Sequence, residues 1–298
     1  MLSVFFGLPV FVEEPKIKTG SGQTLTEISS EVIPETTAES FLIADLDSGE
    51  IILEKKSMEP HAMASLTKLM TVLVSLENYK LTEACTISKA ATKIEGAKVG
   101  YKAHDALSVK DLIHGALIRS GNDAAVALAE HFKDGESAYI DEMNQKAIEL
   151  GMYGTHFENV MGLDSPNHYT TARDLLTLSQ TLIKEFPEVL TIASTQKEIS
   201  TSFSGFPYEL KTTNELLGTF FMNVLGLKTG TTDNAGQSYI GIVQNKEGHK
   251  YIVILLGSID RFPEAKTALY WIVNGKDAGA FEHVSEEEWE GSLVGKKN

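Results

Sequence analysis

The sequence has 298 residues, enough for one large domain or two ordinary ones with a sizeable core. Its 42% hydrophobic and 22% charged residues describe a folded body, and a net charge of −15 without a basic stripe argues against nucleic acid as a partner. The single cysteine, Cys85, excludes an intrachain disulfide and a cysteine-based zinc cluster; the histidines form no HExxH pair, so neither a metal nor a cofactor is expected.

Leu2 to Val12, "LSVFFGLPVFV", is an apolar run too short to span a bilayer as a helix. It has the character of a truncated or atypical export signal, although no Lys or Arg precedes it and no small-x-small site follows; the alternative is a buried strand. The expectation is an exported, extracytoplasmic protein with a possible N-terminal tether. Residues 13–38 are polar, carry Gly, Ser, Thr and Pro, and read as a linker, so a first segment is placed at 1–38.

"FLIADL", a polar turn at Asp47 to Glu50, and "IILEK" read as a β-hairpin. Ser65 to Tyr79 reads as a helix apolar around most of its circumference and therefore buried, with Ser65 at its positive end. "SVKDLIHGALIRS" has helical spacing and a capping-box-like start at Ser108 and Asp111. The stretches "NDAAVALAEHF", "SAYIDEMNQKAIELG" and "TARDLLTLSQTLIKEF" extend the helical middle. Beyond Pro187, "KEISTSF", "YELKTT", "VLGLKTG", "SYIGIVQ" and "KYIVILLG" read as strands, and "EAKTALYWIVN" as a last helix. Strands at both ends with helices between imply an α+β fold whose sheet joins the two halves of the chain. The folded unit is placed at 39–275, followed by an acidic tail at 276–298.

Three short motifs carry chemistry, and each occurs twice. Ser and Lys at i and i+3 share a helix face, which lets a lysine amine reach a serine hydroxyl. Ser65-Leu66-Thr67-Lys68 and Ser194-Thr195-Gln196-Lys197 both offer this spacing. Ser120-Gly121-Asn122 and Ser165-Pro166-Asn167 both offer a second Ser/Asn pair. Lys228-Thr229-Gly230 and Lys18-Thr19-Gly20 both offer a cation followed by a backbone N–H. Order separates them: SxxK, then SxN, then KTG disqualifies the pair at 194–197 and the linker copy at 18–20. Ser120-Gly121-Asn122 is preferred over 165–167 because glycine between two helices permits a tight turn aimed inward.

"SLTKLMT", "SGNDAA" and "GLKTGTT", in this order, resemble the D-alanyl-D-alanine carboxypeptidases among the low-molecular-mass penicillin-binding proteins. The resemblance runs from about Phe41 to Trp271. It implies a β-lactamase/transpeptidase-like α+β fold, an antiparallel sheet flanked by helices, with a helical subdomain at about 86–190 between the sheet halves. It implies Ser65 as nucleophile, Lys68 as its base and Ser120 as proton relay. Asn122, Lys228, Thr229, Gly230 and Thr231 would hold the substrate, with the N–H groups of Ser65 and Thr231 as oxyanion hole. Arg261 matches an arginine that would meet the substrate's terminal carboxylate; the alternative is a surface arginine.

The implied substrate is a peptidoglycan stem peptide losing its terminal D-alanine, with β-lactam antibiotics as covalent inhibitors. A D,D-endopeptidase, a β-lactamase and a non-catalytic stem-peptide-binding protein are the alternatives. The family's "NPxGL" reads "NVMGL" here, with Val160 for proline, and only 27 mostly polar residues follow Trp271. No C-terminal membrane anchor is therefore expected. A lysine base must drop from near 10.4 to about 7, on the order of 4–5 kcal/mol against the charged form. Burial and repulsion from Lys228 would supply this, leaving Lys68 neutral and Lys228 charged.

Overall fold

A computed structural model describes residues 34–220 and 222–274. The apolar run, nearly all of the linker with Lys18, and the acidic tail lie outside the described residues.

The chain opens with strands β1 (Ser40–Asp45) and β2 (Ile51–Lys55), then enters a 3₁₀ turn over Ala64–Thr67 that runs into α1 (Lys68–Asn78). Short strands β3 (Ala84–Thr86) and β4 (Ala106–Ser108) pair with each other ahead of α2 (Val109–Ile118), α3 (Asn122–Glu130) and α4 (Gly135–Glu149). After a long loop come α5 (Ala172–Glu185), α6 (Glu188–Ala193) and the hairpin β5 (Lys197–Thr201) and β6 (Pro207–Lys211). The described residues end with β7 (Asn223–Thr232), β8 (Gly236–Gln244), β9 (Lys250–Ser258) and α7 (Arg261–Asn274).

The main sheet is antiparallel, in the order β2-β1-β9-β8-β7, so β1 meets β9 and the early and late strands of the described residues close one sheet. The α+β expectation is met. Alternation along β1 explains the unbroken "FLIA" run. Leu42 and Ala44 face the main core with α1, whereas Phe41 and Ile43 face α7 through Ala265, Ala268 and Leu269. A strand covered on both sides has no polar face. Each such fully buried Leu or Ile contributes about 1.5–3 kcal/mol of transfer free energy.

Helix α1 runs through the centre of the main core, and every residue from Lys68 to Ser75 is buried. Ser108 caps α2 by accepting from the Asp111 N–H at 3.1 Å, as its spacing suggests; Thr171 caps α5 the same way through the Asp174 N–H.

Three local features differ from the sequence reading. The α-helix begins at Lys68 rather than Ser65, because Ala64 takes a left-handed φ of 47° and the chain enters through a tighter turn. The strands "KEISTSF" and "YELKTT" form their own two-stranded sheet instead of extending the main one. The pair β3–β4, three residues each, gives no readable alternation.

Candidate active site

Ser65 sits in the 3₁₀ turn and Lys68 on the first residue of α1. In such a turn, side chains at i and i+3 stack nearly in line. Lys68 Nζ accordingly lies 2.8 Å from Ser65 Oγ, and it also donates to the Met161 carbonyl at 2.6 Å. The loop that supplies this carbonyl is folded around Asn159, whose Oδ1 accepts from the N–H groups of Met161, Gly162 and Leu163 at 3.2, 2.7 and 3.0 Å. Gly162 then passes so close to Ala64 that a Cβ there would stand 1.8 Å from the Ala64 carbonyl oxygen and 2.9 Å from the Ser65 nitrogen, at a φ of +91°. Only glycine fits that position.

Ser120 lies in the turn between α2 and α3, and Asn122 is the first residue of α3. The left-handed residue is Ser120 itself, at φ 59°, whereas Gly121 has an ordinary φ of −62°. The tight-turn role expected of Gly121 is thus corrected. Its glycine is needed for space, since a Cβ would come within 2.8 Å of Val99 Cγ2 and 2.9 Å of Asp123 Oδ1. Ser120 in a sparsely populated conformation is held by its surroundings, a cost commonly found at reactive sites. Asn122 donates through Nδ2 to the Glu95 carbonyl at 2.6 Å, and its buried Oδ1 has no partner. An unpartnered buried acceptor leaves one hydrogen bond open for an incoming N–H.

Lys228, Thr229, Gly230 and Thr231 lie on β7, the free edge of the main sheet. Lys228 Nζ donates to Ser120 Oγ at 2.8 Å and to the Thr229 carbonyl at 2.9 Å. Gly230 lets this edge lie against the Ser65 turn: a Cβ would be 3.0 Å from the Ser65 nitrogen. Arg261, first residue of α7, reaches over the strand end, where Nη1 donates to the Gly230 carbonyl at 2.8 Å and to Thr231 Oγ1. A cleft of about 180 Å³ is lined by Ser65, Ser120, Asn122, Thr229, Gly230, Thr231 and Arg261, among others. A larger cavity, about 750 Å³, lies between the β1–β2 edge and α7 and holds none of these residues.

Burial drives the electrostatics. Lys68 is fully buried, which pushes its ammonium well below the usual lysine range; the charge of Lys228 adds to this and Asp123 opposes it. Burial, with the nearby Arg261 guanidinium, also pushes Lys228 down to about 7. Both effects work against the charged Lys228 expected from the sequence. Lys68, whose proton is disfavoured by burial, has its amine 2.8 Å from the Ser65 hydroxyl.

The duplicate motifs go elsewhere. Ser194 caps the end of α6 and Lys197 lies on β5, paired with Glu209 at 3.1 Å on the surface. Ser165 and Asn167 both bind the Glu158 carboxylate, outside the cleft. Lys18 is outside the described residues. Sequence reasoning missed Asn159, which shapes the Met161 loop, and Asp123. The Asp123 carboxylate is fully buried and accepts from Val99, Gly100 and Tyr101 N–H groups at 3.0, 2.8 and 3.2 Å. That fixes the loop carrying the Glu95 and Ala97 carbonyls against Asn122. Its only signal was adjacency to Asn122. Among the described residues no group of His, Cys, Asp or Glu converges to hold a metal.

A sequence model of D-alanyl-D-alanine carboxypeptidases matches residues 27–259. The D-alanyl-D-alanine carboxypeptidase DacC of Escherichia coli (strain K12) is 34% identical over 251 residues, covering 80% of this chain and 62% of its own length. A D-alanyl-D-alanine endopeptidase of the same strain is 31% identical over 283 residues, covering 92% of this chain and 87% of its own. Among solved structures, penicillin-binding protein D2 from Listeria monocytogenes in its ampicillin-bound form superposes with a TM-score of 0.69 at 30% identity, covering 78% of this chain and 96% of that one. The chain spans about three fifths of the length of the first carboxypeptidase relatives, 62%, 63% and 57%.

Proposed function

Because the chain belongs to the D-alanyl-D-alanine carboxypeptidase family, we propose that it is a serine hydrolase that removes the terminal D-alanine from peptidoglycan stem peptides. The observation that carries this reading is the 2.8 Å contact between Ser65 Oγ and a fully buried lysine amine. Ser65 Oγ attacks the carbonyl of the penultimate D-alanine while Lys68 Nζ takes its proton. The N–H groups of Ser65 and Thr231, on the turn and on the free strand edge pressed against it, stabilise the developing oxyanion. The proton that Lys68 has taken is relayed through Ser120, held by Lys228 at 2.8 Å, to the departing amine, which leaves Lys68 neutral and the Ser120 hydroxyl intact. The ester left on Ser65 is then hydrolysed by water.

Asn122 Oδ1 accepts an N–H from the bound peptide, and Arg261 with Lys228 faces the terminal carboxylate. β-Lactams acylate the same serine, in keeping with the ampicillin-bound Listeria relative. Export to the cell envelope follows from the substrate, which lies outside the cytoplasmic membrane; among the described residues no helix is long and apolar enough to cross a membrane. The test is release of D-alanine from a pentapeptide ending in D-Ala-D-Ala by the wild type and not by Ser65→Ala. Cleavage of a cross-linked stem-peptide dimer with no released D-alanine would favour the endopeptidase activity instead.

A further inference from the structure

His168 is buried 101 residues from Thr67 in sequence, and its Nε2 lies 2.7 Å from Thr67 Oγ1. Its other nitrogen, Nδ1, accepts from the Glu158 backbone N–H at 3.0 Å. An accepting Nδ1 places the ring proton on Nε2, so the imidazole is neutral and donates to Thr67. Burial keeps it so, with a pKa pushed down to about 4. The Thr67 hydroxyl has one proton of its own, and it goes to the Ala64 carbonyl at 2.8 Å. The chain of donors therefore has a fixed direction: His168 to Thr67 to Ala64.

Ala64 O and Ser65 N belong to the same peptide unit. That unit is planar and trans, so fixing its carbonyl oxygen fixes the opposite direction of its N–H. The residue at its head, Ala64, is left-handed at φ 47°, a conformation a non-glycine residue keeps only when its neighbours impose it. Gly162 also packs closely against the same carbonyl. Donation into Ala64 O also polarises the peptide and makes its N–H a better donor.

We propose that His168, acting through Thr67, is a positioning residue that aims the 64–65 peptide so that the Ser65 N–H faces the reacting carbonyl. The proposal rests on the acyl-transfer reading above. It assigns His168 no proton transfer and no contact with substrate; its effect is on the transition state, where the oxyanion forms, and not on the initial complex.

Thr67→Val is the informative variant, since it keeps the shape and removes the hydroxyl. Stopped-flow acylation with a fluorescent penicillin separates the Kd of the first complex from the acylation rate constant. Thr67→Val should lower that rate constant about 10- to 100-fold, short of the roughly 10²–10³ for deleting an oxyanion donor outright, with Kd unchanged within about twofold. Thr67→Ser, which keeps the hydroxyl, should recover most of the rate. A Thr67→Val rate within about twofold of wild type, or a loss confined to Kd, would overturn the proposal while leaving the wild-type reaction intact. Absence of any acylation in the wild type would overturn the enzymatic reading and this proposal together. Should Thr67→Val fail to fold, His168→Gln and His168→Leu carry the same comparison: glutamine the faster supports a required donor, and equal rates refute it.

Discussion

Ser65 Oγ and Lys68 Nζ are joined at 2.8 Å in a setting where, among the described residues, no carboxylate lies within ion-pairing distance of the amine. Burial and the Lys228 charge both work against the lysine's proton, and Asp123 opposes them. Its three-residue offset from the serine comes from a 3₁₀ turn, which aligns i and i+3 more closely than an α-helix does.

The pH profile should report both lysines. With Lys68 as the base proposed above, activity should appear as pH rises through that group's lowered pKa, giving the acid limb. A charged Lys228 facing the substrate carboxylate is lost as pH rises through about 7, which gives a basic limb in kcat/KM. Lys228→Arg, charged throughout, should remove the basic limb while keeping partial activity. A wild-type profile that stays flat up to about pH 9 would count against the role given to Lys228.

The same burial has a stability cost. Lys228 binds its proton with a pKa of about 7 when folded and 10.5 as an ordinary lysine, so between these values the unfolded chain holds more protons and stability rises with pH. Below about 7 the full cost is present. Lys228→Met should therefore stabilise the protein at neutral pH by about 1–2 kcal/mol in urea titration, while abolishing turnover. A destabilised Lys228→Met would show that its bonds to Ser120 and Thr229 outweigh the desolvation of the ammonium.

Asp123 holds a loop rather than a reactant. Removing a fully buried carboxylate that satisfies four backbone N–H groups, those of Val99, Gly100, Tyr101 and Ala124, leaves these donors unpaired. Asp123→Ala should cost about 2–4 kcal/mol in a denaturation midpoint. It should also weaken substrate binding, because Asn122 loses its fixed carbonyl partners. Wild-type stability in this variant would mean that the loop finds other acceptors.

If Arg261 meets the substrate carboxylate as proposed, it should separate substrates by their ends. Charge-assisted hydrogen bonds contribute about 1.5–3 kcal/mol, so Arg261→Ala should lower kcat/KM by roughly 10- to 150-fold on a peptide with a free terminal carboxylate. An amide-capped peptide, already a poor substrate, should be nearly unaffected. Equal losses on both peptides would assign Arg261 to holding Gly230 and Thr231 in place instead.

Much of this fold was legible in the residues. The two-sided burial of β1 and β9 shows as unbroken apolar runs, and the cap at Ser108 is a local hydrogen bond between residues three apart. Ser65 and Lys68 share that locality. What stayed hidden depends on distance along the chain. Lys228 meets Ser120 across 108 residues and Thr67 meets His168 across 101, and no periodicity records either meeting. The left-handed conformations of Ala64 and Ser120 are imposed by packing against residue preference, which is why Gly121 was credited with a turn that its neighbour makes. Duplicate motifs were separable by order, yet only the fold shows why Lys197 cannot serve: it lies on a surface strand facing Glu209.

The central claim is that Ser65 is the acylated nucleophile. Intact-mass spectrometry after incubation with penicillin, followed by peptide mapping, tests it directly. The expected result is one added drug mass located on Ser65, absent in Ser65→Ala and unchanged in Lys197→Ala. An adduct on any other residue, or an equal adduct in Ser65→Ala, would contradict it.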